Sequence, residues 1–503
     1  MPSSPVLVWL RNDLRLDDHE PFHRACASGA PVVPVYCLDP RHFVTLPSGI
    51  AKTGAFRARF LLEALADLRA HCRRLGGDLL IRQGMPETEL PTLARQLAAS
   101  RLLFHEEVAS EERSVEVNVV TALAAQRVIC EPYWGQTLLH PDDLPFDRQA
   151  LPDVFTQFRT RVERAVAPRQ PLPAPTALHT PPIDPGALPT LRELGFADPP
   201  DDPRTLFRPT GGITAAHDRL THYLWTTDRL RTYKETRNGL LAVDDSTKLS
   251  PWLALGCLSP RRIHADVQQY ERQRAKNDST YWLIFELLWR DYFRLVAAKW
   301  GDRLFALRGL HDRALDWRLL DGAAAQEDFA HWTGGTTGFP LVDAAMRELS
   351  ATGYTSNRAR QNVASFLTKN LGIDWRAGAA WFESLLIDYD VASNWGNWLY
   401  SAGVGNDARG FRFFNIHKQS AEYDPEGAYV RHWLPELARL PGSAAHRPER
   451  LSVEEQARYG VRLGVDYPAP MVELFASAAE QERRYRAALG GQTSGGVRRP
   501  RAR

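Results

Sequence analysis

The first third of the chain alternates short apolar runs with amphipathic helical segments. Five runs rich in β-branched and other apolar residues predict strands at Val6–Leu10, Val32–Cys37, Leu79–Ile81, Arg101–Phe104 and Val128–Cys130. Between the second and third runs, the apolar positions of Phe56–Leu75 recur with a helical period. Strand–helix alternation with short connections predicts a doubly wound, Rossmann-like α/β domain with a parallel sheet, which we assign to residues 1–137.

The pattern changes after this domain. Prolines crowd the chain from Pro168 to Pro209, and this density excludes long helices and central strands. We therefore interpret residues 138–210 as a Pro-rich linker between domains. From Gly211 onward the signals are helical, and Ser279–Trp300 places its apolar residues at three- and four-residue spacings. We predict an all-α domain over residues 211–489 and a basic, disordered tail over residues 490–503.

Composition is that of an ordinary globular protein with two or three domains. Of 503 residues, 44% are hydrophobic and 24% charged, and no apolar run reaches the roughly 18–20 residues of a membrane helix. No signal peptide is visible, and the five cysteines form no C-x-x-C pair. A reduced, cytoplasmic protein without a metal site is predicted. The net charge of +2 does not by itself indicate nucleic-acid binding.

The segment from Tyr354 to Tyr400 carries the densest candidate chemistry. Guanidinium groups, carboxamides, two carboxylates and three tryptophans lie within an otherwise apolar stretch. Each of the polar groups is costly to bury without a partner. The pattern therefore indicates the surroundings of a large, polar, planar ligand.

Motifs spread along nearly the whole chain resemble the photolyase/cryptochrome family, and specifically the DASH cryptochromes. They include V-W-L-R-N-D-L-R-L-D-D-H at Val8–His19, Y-K-E-T-R-N-G-L at Tyr233–Leu240, K-L-S-P-W-L-A-L-G-C-L-S-P-R at Lys248–Arg261 and the block from Gly338 to Leu437. The resemblance implies an antenna-type α/β domain, a helical domain that binds one FAD in a U-shaped conformation, and blue-light chemistry.

The resemblance also assigns the flavin site. The family segment that holds the FAD phosphates and ribityl chain corresponds to Tyr233, Ser246, Thr247, Lys248, Leu249 and Ser250. Taken alone, that serine-rich run would be typical of a helix N-cap followed by its proline. The remaining cofactor contacts correspond to Glu286, Arg290, Asn357, Arg360, Asp388, Asp390 and Asn394. We expect an ion pair between Arg360 and Asp388, for which a structural and a functional role are equally suitable.

Asn394 corresponds to the family position that faces flavin N5. A carboxamide both donates and accepts hydrogen bonds, so it can accommodate N5 with or without a proton. The signalling branches of the family carry an acid or a cysteine here, and Asn394 therefore resembles the repair-competent type. In an unknown protein, an asparagine in S-N-W-G-N would more often cap a turn.

Three tryptophans correspond to the electron-transfer chain of the family. Trp398 and Trp375 match its two inner members, and Trp317 is assigned as the outer one. Indoles suit this role because they are oxidisable and also pack well in helical cores.

The resemblance places a lesion pocket at Glu286 and Trp289, together with Arg358, Gln361 and Tyr400. Gln361 and Tyr400 stand where double-strand photolyases carry methionine and tryptophan, so the pocket is more polar and offers less stacking area. Since a dimer must leave the base stack to be repaired, a weaker pocket favours single-stranded DNA.

The stretch H-E-E-V-A-S-E-E-R at His105–Arg113 resembles the segment that contacts a methenyltetrahydrofolate antenna, with Glu107 as the pterin acceptor. A Glu-rich run is otherwise typical of an exposed helix start.

These assignments favour a light-driven lyase that acts, as a monomer, on cyclobutane pyrimidine dimers in single-stranded DNA. A blue-light photoreceptor with a signalling role is the alternative, although the long C-terminal extension of many cryptochromes is not seen. A dark flavoenzyme is disfavoured because no nicotinamide-binding fingerprint is present.

Overall fold

The fold is described by a computed structural model, which covers residues 4–407 and 410–488. The predicted tail at 490–503, together with residue 489, lies outside the described residues. The chain divides into two compact units, apart from the residues left undescribed. The first contains Met1–Asp302, Arg347–Arg358 and Ala379–Asn397, and the second contains Arg303–Met346, Ala359–Gly378 and Trp398–Arg503.

The N-terminal region contains a five-stranded sheet, and every strand pair is parallel. Its strands are Val6–Leu10 (β1), Val32–Leu38 (β2), Leu80–Gln83 (β3), Arg101–His105 (β4) and Ile129–Tyr133 (β5). The spatial order is β3-β2-β1-β4-β5. In the register, Val6 pairs with Val32 on one side and with Arg101 on the other. The predicted α/β class with a parallel sheet is confirmed, and the strand ends lie within three residues of their predicted positions.

Four helices connect these strands: Glu20–Ala27 (α1), Ala55–Arg74 (α2), Pro86–Leu97 (α3) and Ser110–Ala124 (α4). Leu7 and Trp9 point to the face that buries Leu90 of α3 and Val119 of α4 in one apolar cluster. Neighbouring residues of a strand point to opposite faces, and right-handed crossovers therefore place α1 and α2 on the other face.

The remaining helices confirm the all-α class of the C-terminal region, where no strand follows β5 within the described residues. They are Phe155–Ala165 (α5), Ile213–Thr221 (α6), Tyr233–Thr236 (α7), Ser250–Ala254 (α8), Pro260–Gln273 (α9), Asp278–Trp300 (α10), Ala323–Gly334 (α11), Pro340–Thr352 (α12), Asn357–Lys369 (α13), Trp375–Leu385 (α14), Val391–Ala402 (α15), Ile416–Tyr423 (α16), Ala428–Trp433 (α17), Val453–Tyr459 (α18) and Leu474–Ala488 (α19). Among the described helices, none combines the length and apolarity needed to span a bilayer.

The stretch predicted as a linker is only partly extended. It contains α5, which buries Phe155, Phe158 and Val162 at helical spacing before the prolines begin. The proline-rich part, residues 166–212, forms no helix or strand. There the Pro185 carbonyl accepts a hydrogen bond from Ile81 N at 2.7 Å, so this segment covers the edge of β3.

A buried polar cluster lies where the strand order reverses, at the carboxyl ends of β1 and β4. Asp13 Oδ2 accepts hydrogen bonds from His19 Nε2 at 2.9 Å and from His105 Nδ1 at 2.8 Å. All three side chains are almost completely buried. Burial, aided by the nearby charge of His19, lowers the pKa of His105 to about 4. His105 is therefore neutral in the folded protein at neutral pH.

This cluster predicts a loss of stability in mild acid. An unfolded histidine titrates near pH 6.5, whereas folded His105 titrates near 4. Between these values the unfolded state binds one more proton, so the free energy of unfolding falls by about 1.4 kcal/mol per pH unit as the pH decreases. His105→Asn keeps a donor for Asp13 but cannot titrate. In this variant the free energy of unfolding, measured by urea denaturation at several pH values between 4 and 6.5, should depend on pH less steeply by this amount. An unchanged slope would contradict the assignment, and His179→Gln, at an exposed position, is the matched control.

Candidate active site

Helix α10 carries three neighbouring ionisable groups, of which Asp291 and Arg294 are buried and Arg290 is half-buried. Arg290 donates to the carbonyls of Gln136 and Leu253, the latter at 3.1 Å. Asp291 accepts from the backbone N–H groups of Leu138 and Leu139 at 2.9 and 2.8 Å. Burial raises the pKa of Asp291 to about 7, although these two hydrogen bonds act against the rise. The segment 136–139 is thereby fixed against the helix.

The third of these groups, the buried Arg294, pairs with Glu107. Arg294 donates to Glu107 Oε2 at 2.8 Å, and the side chains are 3% and 2% exposed. Asn12 and Gln136 donate to Glu107 Oε1 at 3.2 and 3.0 Å. Burial alone would raise the pKa of Glu107, but the charges of Arg294 and Arg11 and the hydrogen bonds from Arg294 and Gln136 together outweigh it, and the pKa lies below its ordinary value. Both carboxylate oxygens of Glu107, the residue predicted to accept from a pterin, are thus hydrogen-bonded within the protein. Arg294 also donates to the backbone carbonyl of Glu106.

The adjoining side of α10 presents Glu286, one turn before Arg290, and Trp289, the two residues predicted to meet a lesion. Arg237 donates to Glu286 Oε1 at 2.6 Å. Burial raises the pKa of Glu286, although Arg237 opposes the shift. Trp289 stacks on Phe155 with ring centroids 3.6 Å apart and an interplanar angle of 12°. A rigid indole and a positioned carboxyl group therefore lie one helical turn apart, both partly accessible.

Close packing between α15 and α10 supports this aromatic wall. Trp289 also stacks on Phe293 at 5.5 Å. A Cβ atom at Gly396 would lie 2.4 Å from Phe293 Cδ1. Only glycine therefore lets α15 approach Phe293 this closely, which gives the W-G-N-W sequence a packing reason.

The serine-rich run predicted to hold FAD phosphates forms the approach to α8. Arg219 fixes its backbone by donating to the carbonyls of Thr247 and Ser246 at 2.8 and 3.1 Å. Lys248 adopts a positive φ of 52° and places its ammonium group 5.1 Å from the Tyr354 ring centre. Ser250 donates to Asp388 Oδ2 at 2.6 Å. The predicted phosphate segment and a predicted isoalloxazine residue are thus brought together.

Tyr233 and Leu249 are buried, and Asp390 is half-buried. Burial raises the pKa of the Tyr233 phenol. For Asp390, desolvation would raise the pKa, but the charges of Arg290 and Arg294 and the hydrogen bonds from Ser393 together lower it. Asp390 Oδ1 also accepts from Ser393 N at 2.7 Å and so caps α15. Asn394, in the first turn of that helix, donates to Ala379 O at 3.0 Å.

The predicted DNA-facing residues Arg358, Gln361 and Tyr400 are partly exposed. Arg358 donates to Asn238 Oδ1 at 3.0 Å. Asn357 and Arg360 lie in the first turn of α13. The ion pair of Arg360 with Asp388 stays a prediction.

The three predicted electron-transfer tryptophans differ in exposure. Trp398 and Trp375 are buried, and Trp375 Nε1 donates to Leu307 O at 3.2 Å. Trp317 is partly exposed. The residue after it, Arg318, bonds Gly372 O and Asp374 N at 2.9 and 3.0 Å, which holds Trp317 beside the start of α14. A Cβ atom at Gly378 would lie 2.3 Å from the Trp398 ring.

Several site residues were not predicted from the sequence. Phe155, Arg237 and Asn238 contact Trp289, Glu286 and Arg358 respectively. Trp332 lies against Trp398, with ring centroids 6.2 Å apart. Arg237 and Asn238 belong to the motif Y-K-E-T-R-N-G-L, which could have indicated them, whereas Phe155 had no local signal.

Comparison with known proteins agrees with this geometry. The family described as "DNA photolyase" matches residues 6–176, and the one described as "FAD binding domain of DNA photolyase" matches residues 282–487. "Cryptochrome DASH" of Gloeobacter violaceus is 58% identical over 489 residues, which cover 97% of each chain. The chain belongs to the DASH cryptochromes.

Solved structures of the photolyase/cryptochrome family support the same fold. A cryptochrome of Synechocystis is 51% identical, with a TM-score of 0.92 over 96% of this chain and 99% of its own. A class III photolyase of Agrobacterium tumefaciens is 30% identical, with a TM-score of 0.84 over 97% of this chain and 98% of its own. Membership in the DASH cryptochromes makes the protein a photolyase-like flavoprotein.

The residues present fit an FAD. Ser246, Thr247 and Ser250 offer hydroxyl and backbone donors, and Lys248 adds a nearly buried ammonium group, a set suited to a pyrophosphate. The carboxamide and carboxylate groups of Asn394, Asp388 and Asp390 match the polar edge of an isoalloxazine ring.

The Glu107–Arg294 pair predicts a large effect on stability. Removal of the carboxylate in Glu107→Ala leaves Arg294 buried without its counter-charge, which should lower the free energy of unfolding by about 3–5 kcal/mol. Urea denaturation checks this. Glu111→Ala is the control, because the Glu111 side chain is 72% exposed and pairs with Lys52 at the surface, where a pair contributes about 0–1 kcal/mol. Equal effects of the two substitutions would show that the buried pair does not stabilise this region.

Proposed function

We propose that this DASH cryptochrome is a blue-light-dependent lyase that repairs cyclobutane pyrimidine dimers in single-stranded DNA. The observation that carries the proposal is the pairing of Glu286 and Trp289 on one face of α10. Trp289 is held rigid by Phe155 and Phe293 and stays partly exposed, so the accessible part of the indole can contact a thymine ring. Glu286, whose pKa burial raises, can share a proton with a pyrimidine carbonyl.

FAD, when bound in its reduced form, would lend a light-excited electron to the dimer and take it back once the cyclobutane ring has split. The chain contributes the binding and the environment. Ser246–Ser250 hold the phosphates, and Asn394 provides a neutral amide that suits a flavin nitrogen in either protonation state. Arg358 neutralises DNA phosphate, and Trp398, Trp375 and Trp317 relay electrons inward when the cofactor must be reduced.

Single-strand specificity follows from the polar pocket. Gln361 and Tyr400 give less stacking area than methionine and tryptophan would, and stacking contributes about 1–3 kcal/mol per base. Removal of a dimer from a duplex costs a few kcal/mol more than its removal from a single strand. The stacking energy lost from the pocket and the extra cost of extracting a dimer from a duplex are similar in size. The weaker pocket can therefore bind a dimer extruded from a single strand but cannot extract one from a duplex.

The methenyltetrahydrofolate antenna is part of the proposal on the strength of the segment His105–Arg113. Besides the internally bonded Glu107, this segment carries Glu112, for which burial raises the pKa to about 7. A protonated carboxyl group could donate to a pterin as well as accept from it. Reconstitution with the folate, followed by its absorption band, tests this assignment.

The central prediction concerns substrate choice. Photoreduced protein, illuminated with blue light, should remove dimers from irradiated oligothymidine and leave the same dimer in a duplex, because the pocket cannot match the cost of unstacking. Chromatography of the digested DNA measures the remaining dimers. If no dimers were lost from either substrate while the flavin was still photoreduced, the lyase proposal would be rejected and a signalling photoreceptor favoured.

The pocket hypothesis has its own control. The double variant Gln361→Met, Tyr400→Trp restores stacking area, so duplex affinity should rise by about 5- to 150-fold, equivalent to 1–3 kcal/mol. Affinity for the single strand should change less. Repair of both substrates by the unmodified protein would show that these two residues do not limit base flipping.

A separate prediction concerns the tryptophan relay. Trp398→Phe should abolish photoreduction of the oxidised protein, because it removes the innermost oxidisable ring. Gly378→Ala should slow it, because the added methyl group must displace the Trp398 ring. Trp332→Phe is the matched control: it removes another indole in contact with Trp398 but none of the proposed relay. Flavin absorbance under illumination measures photoreduction. If Trp332→Phe blocked photoreduction and Trp398→Phe did not, the electron path would run through Trp332 and the proposed relay would be wrong.

A further inference from the structure

The outer half of α10 has an unusual solvent-facing surface. Tyr281 is exposed, and Trp282, Phe285 and Trp289 are partly exposed. Trp282 stacks on Phe285 with ring centroids 4.8 Å apart and an angle of 28°, and Phe155 bridges Phe285 to Trp289. Partly exposed aromatic rings therefore follow α10 from Tyr281 to the proposed lesion pocket, and the buried Phe155 joins Phe285 to Trp289 from beneath. Contiguous apolar surface of this kind marks an interaction site.

Cations lie over the rings of this surface. Lys234 Nζ is 5.0 Å from the Trp282 ring centre, and Arg159 Cζ is 5.6 Å from that of Phe285. Their carboxylate partners stand at the rim: Lys234 bonds Asp278, whose side chain is 80% exposed, and Arg159 bonds Glu163. Exposed pairs of this type are weak, so a phosphate can take the place of either carboxylate.

The two elements that flank the surface are strongly basic. Helix α5 and the segment 229–237 both pack against α10. Together they carry seven basic residues and two acidic ones, Glu163 and Glu235. The basic residues are Arg159, Arg161, Arg164, Arg229, Arg231, Lys234 and Arg237. A local excess of positive charge thus borders the aromatic strip formed by Tyr281, Trp282, Phe285 and Trp289, although the whole chain carries a net charge of only +2.

Aromatic rings between basic flanks form the surface that binds single-stranded nucleic acid without sequence preference. We propose that undamaged DNA on one side of the dimer runs along the outer half of α10, with its bases stacked on Trp282 and Phe285 and its phosphates near α5 and segment 229–237. This inference rests on the proposed function and deepens it, because it assigns the flanking single strand a site of its own. A paired duplex cannot use this surface, since its bases are already stacked.

The strip leads away from the pocket in one direction, so the effect must depend on strand polarity. The test uses FAD-loaded protein and fluorescent oligothymidines with one dimer. One oligomer carries about eight extra nucleotides on the 5′ side, a second carries them on the 3′ side, and a third carries no flank. Trp282→Ala and Phe285→Leu should each weaken binding of one flanked oligomer about tenfold, as expected for the loss of one stacked base. They should leave the other two oligomers unchanged.

Three further variants keep the test decisive. Trp282→Phe retains a flat ring and should recover most of the affinity, whereas a variant that merely misfolds would lose binding of all three oligomers. Phe475→Ala, at an exposed aromatic residue of α19, should have no effect. Trp289→Ala should weaken all three oligomers, since each carries the dimer. No loss with Trp282→Ala, or equal loss for all three oligomers, would overturn the proposal.

The outcome separates this inference from the proposed function. The same titration with undamaged oligothymidine measures the strip without the lesion. If the protein repairs no dimer but Trp282→Ala still weakens undamaged strands, the lyase proposal fails and the strip stands. If repair is observed and neither flanked oligomer distinguishes Trp282→Ala from the unmodified protein, the strip fails and the lyase stands.

Discussion

The first compact unit depends on the compensation of charges buried along one face of α10. Arg290, Asp291 and Arg294 lie at successive positions around this face, and each would be very unfavourable without partners. Their partners come from distant parts of the chain: the 136–139 segment, the end of α8, and Glu107 just beyond β4. Asp390, the cap of α15, is influenced by the same two guanidinium groups. Because these groups must stay bonded, the end of β4, the 136–139 segment, α8 and α10 hold fixed positions within the unit.

This fixed helix also gives the adjoining side its precision. Glu286 and Trp289 are on the same rigid element as these groups, so their separation is set by helix geometry rather than by a loop. The aromatic neighbours Phe155 and Phe293 limit rotation of the Trp289 ring. Gly396 allows α15 to pack closely enough to maintain Phe293 in place. The groups that fix α10 and the residues proposed to meet the lesion thus lie on neighbouring sides of one helix, with Glu286 one turn before Arg290.

Much of this could be predicted from local sequence. The strands were located to within three residues because each is a short apolar run, and α10 was located to within one residue by its periodicity. The sheet order was not predicted, since register and neighbours depend on long-range packing. Helix α5 was missed because the proline-rich stretch that follows it dominated the composition. For the same reason Phe155 had no visible role: its stacking on Trp289 joins residues 134 positions apart in sequence.

The candidate site shows a different limit. Resemblance supplied the residues, but it could not supply their partners. Glu107 was predicted to accept from a pterin, which stays a prediction, and nothing in the sequence indicated that its carboxylate also accepts hydrogen bonds from Arg294, Asn12 and Gln136. Sequence reasoning weighs a glutamate by its neighbours in the chain, whereas its environment is set by groups from β1, the 136–139 segment and α10. A motif therefore identifies a position more reliably than it identifies what the side chain contacts.

The two proposed features would act in the same direction on substrate choice. A polar pocket, as proposed, would reduce the energy available for pulling a dimer out of a stack, so lesions that are already unstacked would be favoured. The aromatic strip beside it can gain energy only from bases that are free to stack on protein, which excludes those paired in a duplex. Each effect alone is of the order of one stacked base. Acting together, they would make the difference between single and double strands larger than the pocket substitutions could produce by themselves, and restoring the pocket would recover only part of duplex binding.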